Sequence, residues 1–148
     1  MTTEASKATY EIQIREVIDN WAKALRAKDI NRLMSNIAPD ILSFDVINPL
    51  QHLGSDASRR RAEEWVSSFQ GPIGCEIRDL SITASDDVAF CHSLNRFSGT
   101  KTDGGEIDMW VRATICCRKI GGKWLVTHEH ISVPFDMETG QASLDLKP

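Results

Sequence analysis

The sequence predicts an α+β fold, with three N-terminal helices packed on one face of a strongly curved, mainly antiparallel sheet. Three observations carry this. Apolar residues recur at three- and four-residue spacing as far as Phe69. After Gly74 that pattern gives way to long β-rich stretches separated by turn residues. The 148 residues are 41% hydrophobic and 26% charged, which suits one domain around one core.

The first helix is expected from Tyr10 to Lys28, where Tyr10, Ile14, Val17, Ile18, Trp21 and Leu25 form one apolar stripe. Asp29 stands where an N-cap belongs, and Ile30, Leu33, Met34 and Ile37 mark a shorter helix ending before Pro39. Ile41 to Ile47 reads as a strand between Pro39-Asp40 and Asn48-Pro49. A third helix runs from Ser55 to Phe69, with Ala62, Trp65, Val66 and Phe69 on one face and Gly71-Pro72 ending it. Its Arg59-Arg60-Arg61 run is placed on a solvated face. Four strands follow, Cys75 to Ser85, Val88 to Thr100, Glu106 to Ile120 and Lys123 to Val133, joined by short turns and so antiparallel in succession. The domain is taken as residues 1–148, with its core at about 8–135 and a loose tail after Phe135.

Composition removes several classes of function. With 17 Lys+Arg against 21 Asp+Glu, the net charge of −4 argues against a nucleic-acid partner. No apolar run reaches the ~18–20 residues that span a bilayer, so no membrane partner is expected. The charged start, MTTEASKATYEIQIR, does not read as a secretory signal. Cys75, Cys91, Cys116 and Cys117 form no CxxC pair and read as buried thiols of a cytoplasmic protein. Phosphate loops and the Gly-x-Ser-x-Gly elbow are absent from the sequence.

The last hairpin assigns faces. If Gly121-Gly122 is a two-residue turn, Ile120 lies opposite Lys123. Thr114 then faces Glu129, Arg112 faces Ile131, Ala113 faces His130 and Ile115 faces His128. Trp110, Arg112, Thr114 and Glu129 fall on one face; Met109, Val111, Ala113, Ile115, His128 and His130 fall on the other. A one-residue bulge at the turn would swap these partnerships. On this register Arg112 and Glu129 are within reach as an ion pair, with Trp110 beside them. Asp45, among Ile41, Phe44, Val46 and Ile47, is a candidate general base because a half-buried carboxyl in apolar surroundings holds its proton more tightly. The alternative is an Asp that bonds turn amides. His128-Glu129-His130 projects two imidazoles from one face, and His92 or a carboxylate could supply a third ligand. The shared face is otherwise apolar and no Cys or Asp sits at ligand spacing, so no metal is expected. These histidines are assigned to an interface. The alternation Ile107, Met109, Val111, Ala113, Ile115, Cys117 predicts a second apolar sheet face and hence a homodimer, with His128 and His130 in or near it.

The order helix, short helix, strand, helix and long antiparallel strands resembles the ketosteroid isomerase-like (nuclear-transport-factor-2-like) superfamily. DMWVRATICCRKIGGKWLVTHEHISVP, Asp108 to Pro134, resembles its SnoaL-like branch. HEHISVP after Gly-Lys-Trp is also similar to the association domain of calmodulin-dependent kinase. The resemblance spans about Tyr10 to Pro134 and implies a cone-shaped fold around a pocket. It places Asp45 at the isomerase's general base, Trp21 at its oxyanion-hole Tyr and Thr114 at its protonated Asp. Two of these three parts are changed, so steroid isomerisation itself is not implied. It also turns Ser93 and Asn95 toward the cavity, with Trp110, Arg112 and Thr114.

The expected function is a cofactor-independent isomerase, cyclase or hydratase acting on a small hydrophobic or polyfunctional organic ligand, a ring or polyketide-like compound. Asp45 would be its base, Arg112 and Asn95 would steady an oxyanion, and Trp21 and Trp110 would form walls. The alternative is a non-catalytic ligand-binding or oligomerisation domain of the same fold.

Overall fold

The computed structural model describes residues 3–148. Thr3 accepts a hydrogen bond from the Ser6 amide and caps α1, Glu4–Arg26, which therefore begins well before the apolar stripe. Ile14, Ile18, Ala22 and Leu25 are its buried face. Asp29 caps α2, Ile30–Leu33, through the Arg32 amide, and that helix is a single turn. It stops short of the Ile37 expected because Ile37 already belongs to β1, Ile37–Phe44. Pro39 sits inside β1 at an irregularity between Ile37 and Leu42, where a residue without an N–H is tolerated. The two-residue β2, His52–Leu53, is too short to show an alternation in sequence. The third helix, α3, covers Ser55–Ser67.

The long strands are β3, Phe69–Ala84; β4, Val88–Lys101; β5, Glu106–Ile120; and β6, Lys123–Ser132. Gly71-Pro72, read as a helix end, lies within β3, where pairing with β4 slips between Gln70 and Gly74. The sheet order is β2-β1-β6-β5-β4-β3, with β1 parallel to β6 and the other neighbours antiparallel. It is curved but not closed, and β2 and β3 are its edges. Two buried clusters anchor the helices. One joins Ile14, Ile18, Ile41, Cys91, Trp124 and Val126; the other joins Leu25, Leu33, Val66, Phe69 and Ile73. Beyond β6 the tail makes one local turn, with Phe135 bridged to Ala142, and is otherwise exposed. Among the described residues no helix is long and apolar enough to cross a membrane.

One bulge decides the inner face. Ile120 pairs with Lys123 and Cys117 with Val126, as a two-residue turn requires, but Cys116 then pairs with His128. Thr127 is the extra residue. Beyond it Ile115 faces Glu129, Thr114 faces His130, Ala113 faces Ile131 and Arg112 faces Ser132. The predicted partnerships of Thr114, Arg112, Ala113 and Ile115 are therefore each displaced by one. Side chains alternate along a strand, so Glu129 and Ile131 turn to the helix-covered side with Met109, Val111, Ala113 and Ile115. Trp110, Arg112 and Thr114 turn outward with His128 and His130. The apolar row Met109, Val111, Ala113, Ile115 is thus covered within the chain, and the exposed greasy face it was expected to create does not exist in that form.

Candidate functional site

Helices and inner sheet face enclose a cavity of about 270 Å³. Its walls are chiefly apolar, among them Trp21, Leu25, Trp65, Phe97, Val111 and Ile131. Phe97 meets Trp21 edge-on at 6.2 Å and Trp65 at 5.2 Å, an aromatic corner joining α1, α3 and β4.

Ionised groups meet at one place on this wall. Asp45 follows β1; its Oδ1 accepts from the Val46 amide at 2.7 Å, and its Oδ2 accepts from Arg61 Nη1 at 2.5 Å. Arg61 Nη2 donates to Ser58 Oγ at 3.2 Å, one turn earlier in α3, and lies 3.6 Å from Glu129 Oε1. The side chains of Arg61, Asp45 and Glu129 are 16%, 21% and 22% exposed, so this is a half-sheltered cluster with two carboxylates to one guanidinium. Neither oxygen of Glu129 accepts a hydrogen bond among the described residues, whereas both oxygens of Asp45 are engaged. The apolar, uncompensated surroundings expected for Asp45 are not what it meets.

A second polar point lies on β4. Ser93 Oγ donates to Asn95 Oδ1 at 2.8 Å, which leaves the Asn95 Nδ2 group as the available donor. Asn95 is 6% exposed, and both residues line the cavity.

The structure brings together five of the residues expected in a pocket: Trp21, Asp45, Ser93, Asn95 and Glu129. Trp110, Arg112 and Thr114 are not among the lining residues, because the Thr127 bulge turns them to the outer face. Arg112 donates to Ser132 Oγ at 3.1 Å and makes no pair with Glu129. Arg61 takes that role, so the solvated-face reading of the arginine run fails at Arg61, although Arg60 is exposed. The signal was present in α3: Ser58, Arg61, Ala62 and Trp65 stand at helical spacing, and all four line the cavity. His128 lies outside it, with Nδ1 2.7 Å from the Leu42 carbonyl oxygen, and His128 and His130 both stand edge-on to Phe44. Among the described residues no group of three or more His, Cys, Asp or Glu side chains is placed to hold a metal ion.

A family model for the SnoaL-like domain matches residues 14–136. A nuclear-transport-factor-2-like protein of unknown function from Pseudomonas putida is 37% identical, with all of each chain covered and a TM-score of 0.85. A ketosteroid isomerase-like protein from Erwinia carotovora atroseptica is 18% identical over 82% of this chain and 93% of its own, with a TM-score of 0.70. A candidate dehydratase from Streptomyces avermitilis is 15% identical over 85% of this chain and 97% of its own, with a TM-score of 0.75. The last two share the fold alone. No protein of curated function matches the sequence.

Proposed function

We propose a function on this premise: the chain belongs to the SnoaL-like domain family, whose model covers residues 14–136. It is a small-molecule pocket protein that moves a proton on an apolar, ring-bearing compound, as isomerases, cyclases and hydratases do. The observation that carries this reading is the Asp45–Arg61–Glu129 cluster on the wall of an otherwise apolar cavity.

Such a lining favours a mostly apolar ligand with few polar groups, and the carboxylates are the groups able to take and return a proton. Glu129 is the acceptor, because its oxygens are free of hydrogen bonds among the described residues. Asp45, the base expected from the sequence, spends both oxygens on the Val46 amide and on Arg61, and so fixes the guanidinium. Arg61 and the Asn95 Nδ2 group are the donors for negative charge developing on a ligand oxygen. Trp21, Trp65 and Phe97 hold the ring. The chemistry requires no cofactor.

The test is a thermal-unfolding screen of the full chain against cyclic ketones, enones and hydroxylated aromatic compounds. A ligand present at 100 times its Kd adds about 2.7 kcal/mol of stability. Compounds that stabilise are then followed by NMR. Conversion supports the enzyme; stabilisation without conversion favours a binding domain of the same fold; no stabilisation by any of them contradicts the pocket.

A second copy of the chain is the partner proposed for the outer sheet face. Phe44 with His128 and His130 edge-on to it, and half-buried Trp110, support that surface. The cytoplasm is the location proposed, on four cysteines that are all free thiols.

A further inference from the structure

Three buried side-chain polar atoms lack a hydrogen-bond partner among the described residues: Ser43 Oγ, His52 Nε2 and Arg61 Nε. They are not scattered. Ser43 on β1 pairs with His52 on β2 and, on its other side, with Glu129 on β6. Residues directly opposed across strands project to one face, so Glu129, Ser43 and His52 form a row. The adjacent pair fixes which face. Leu42 stands opposite Leu53, which is 69% exposed, so the Ser43 row points the other way, beneath α3. Arg61 reaches from α3 to Asp45, two residues beyond Ser43, and to Glu129 at Ser43's side. Its guanidinium therefore meets two sheet neighbours of Ser43, Asp45 along β1 and Glu129 across on β6, and Ser43 itself is 0% exposed.

Native interiors leave few such atoms unpaired, and those they leave call for an occupant or a role. The chemistry of this set is specific. Arg61 Nε carries a hydrogen and can only donate; a hydroxyl donates or accepts; a neutral imidazole nitrogen does one or the other. A single water, with two hydrogens and two lone pairs, satisfies all three and has the ~3 partners usual for a buried water. We propose that Ser43, His52 and Arg61 bind one ordered water, and that through it His52 is a positioning residue for the Arg61 guanidinium. The water accepts from Arg61 Nε and donates to Ser43 Oγ and to His52 Nε2, with the imidazole hydrogen on Nδ1. When His52 takes a second proton its Nε2 becomes a donor, and the water turns its second lone pair to it.

The proposal does not depend on which ligand the cavity takes. It is tested by crystal structures of the wild-type chain and of Ser43→Ala, and by ¹⁵N–¹H NMR of the Arg61 Nε–H in wild type, His52→Ala, Ser43→Ala and Ser43→Thr. Expected are density for one water within hydrogen-bond distance of all three atoms and its loss in Ser43→Ala. The Arg61 Nε–H should exchange with solvent about tenfold faster or more in Ser43→Ala and in His52→Ala, and return to near the wild-type rate in Ser43→Thr. Direct contact among the three side chains with no water between them overturns the proposal. So does one Arg61 Nε–H exchange rate common to all four proteins.

Discussion

Arg61 Nη1 lies 2.5 Å from Asp45 Oδ2, and this contact ties α3 to the end of β1 at the wall of an apolar cavity. The guanidinium is a rigid fork, so fixing one nitrogen on Asp45 also fixes where the other points. It points toward Glu129, at 3.6 Å. A helix, a strand end and the last strand thus share one electrostatic unit.

That unit has a measurable energy. Arg61→Met leaves two carboxylates without their cation and is expected to lower unfolding stability by about 1.5–3 kcal/mol in urea titrations. Arg112→Met, on the exposed outer face, should change it by less than about 0.5 kcal/mol. Combining Arg61→Met with Asp45→Asn should cost less than the sum of the two single changes. Equal losses for Arg61→Met and Arg112→Met would take Arg61 out of the cluster.

Asn95→Leu removes the donor on β4 while keeping the side chain's bulk. A ligand carrying a ring carbonyl should then bind about tenfold more weakly, roughly the 1.4 kcal/mol of one hydrogen bond. A hydrocarbon of the same shape should bind as before. Calorimetry with the two ligands checks this, and equal weakening of both would mean that Asn95 acts only through packing.

Burial pushes the thiols of Cys75 and Cys91 up to about 11 and that of Cys117 up to about 12, from an ordinary value of 9.0. Each folded value lies above the unfolded one. Their stabilisation is therefore complete below about pH 9 and is lost between about pH 9 and 12, as the unfolded thiols ionise first. Urea midpoints measured across that range should fall with pH in the wild type and less steeply in Cys117→Ala. Identical slopes would show that Cys117 is not protected by burial.

The outer face of the sheet gives a prediction of assembly. Light scattering at micromolar concentration should report a dimer, and Trp110→Glu should shift it to monomer without altering ligand stabilisation. A monomeric wild type contradicts the proposed homodimer.

Helices and long strands were legible because their signals are periodic. The stripe Ile14, Ile18, Leu25 and the four β-rich stretches each repeat over many residues. What was lost depends on single residues. Thr127 adds one position to β6 without any change in pattern that distinguishes a bulge from a continuous strand, and it reverses the sides on which Arg112 and Glu129 stand relative to each other. An unbulged register puts Trp110, Arg112 and Thr114 in the pocket beside Glu129; the observed register keeps Glu129 there and removes the other three. Arg61 was hidden by its neighbours, since Arg59 and Arg60 made a run look like a solvated face. Its spacing to Ser58 and Trp65 was the stronger signal. Asp45 was found by position, but its counter-ion comes from a helix whose docking no local pattern reveals.

The most direct test of the account is hydrogen–deuterium exchange at the acidic C–H of a cyclic ketone that stabilises the protein, followed by ¹H NMR in D₂O. Wild-type protein should catalyse the exchange, and Glu129→Gln should bind the same ketone while losing about 10²-fold or more of the rate. An exchange rate in Glu129→Gln equal to that of the wild type would contradict Glu129 as the proton acceptor at the Asp45–Arg61–Glu129 cluster.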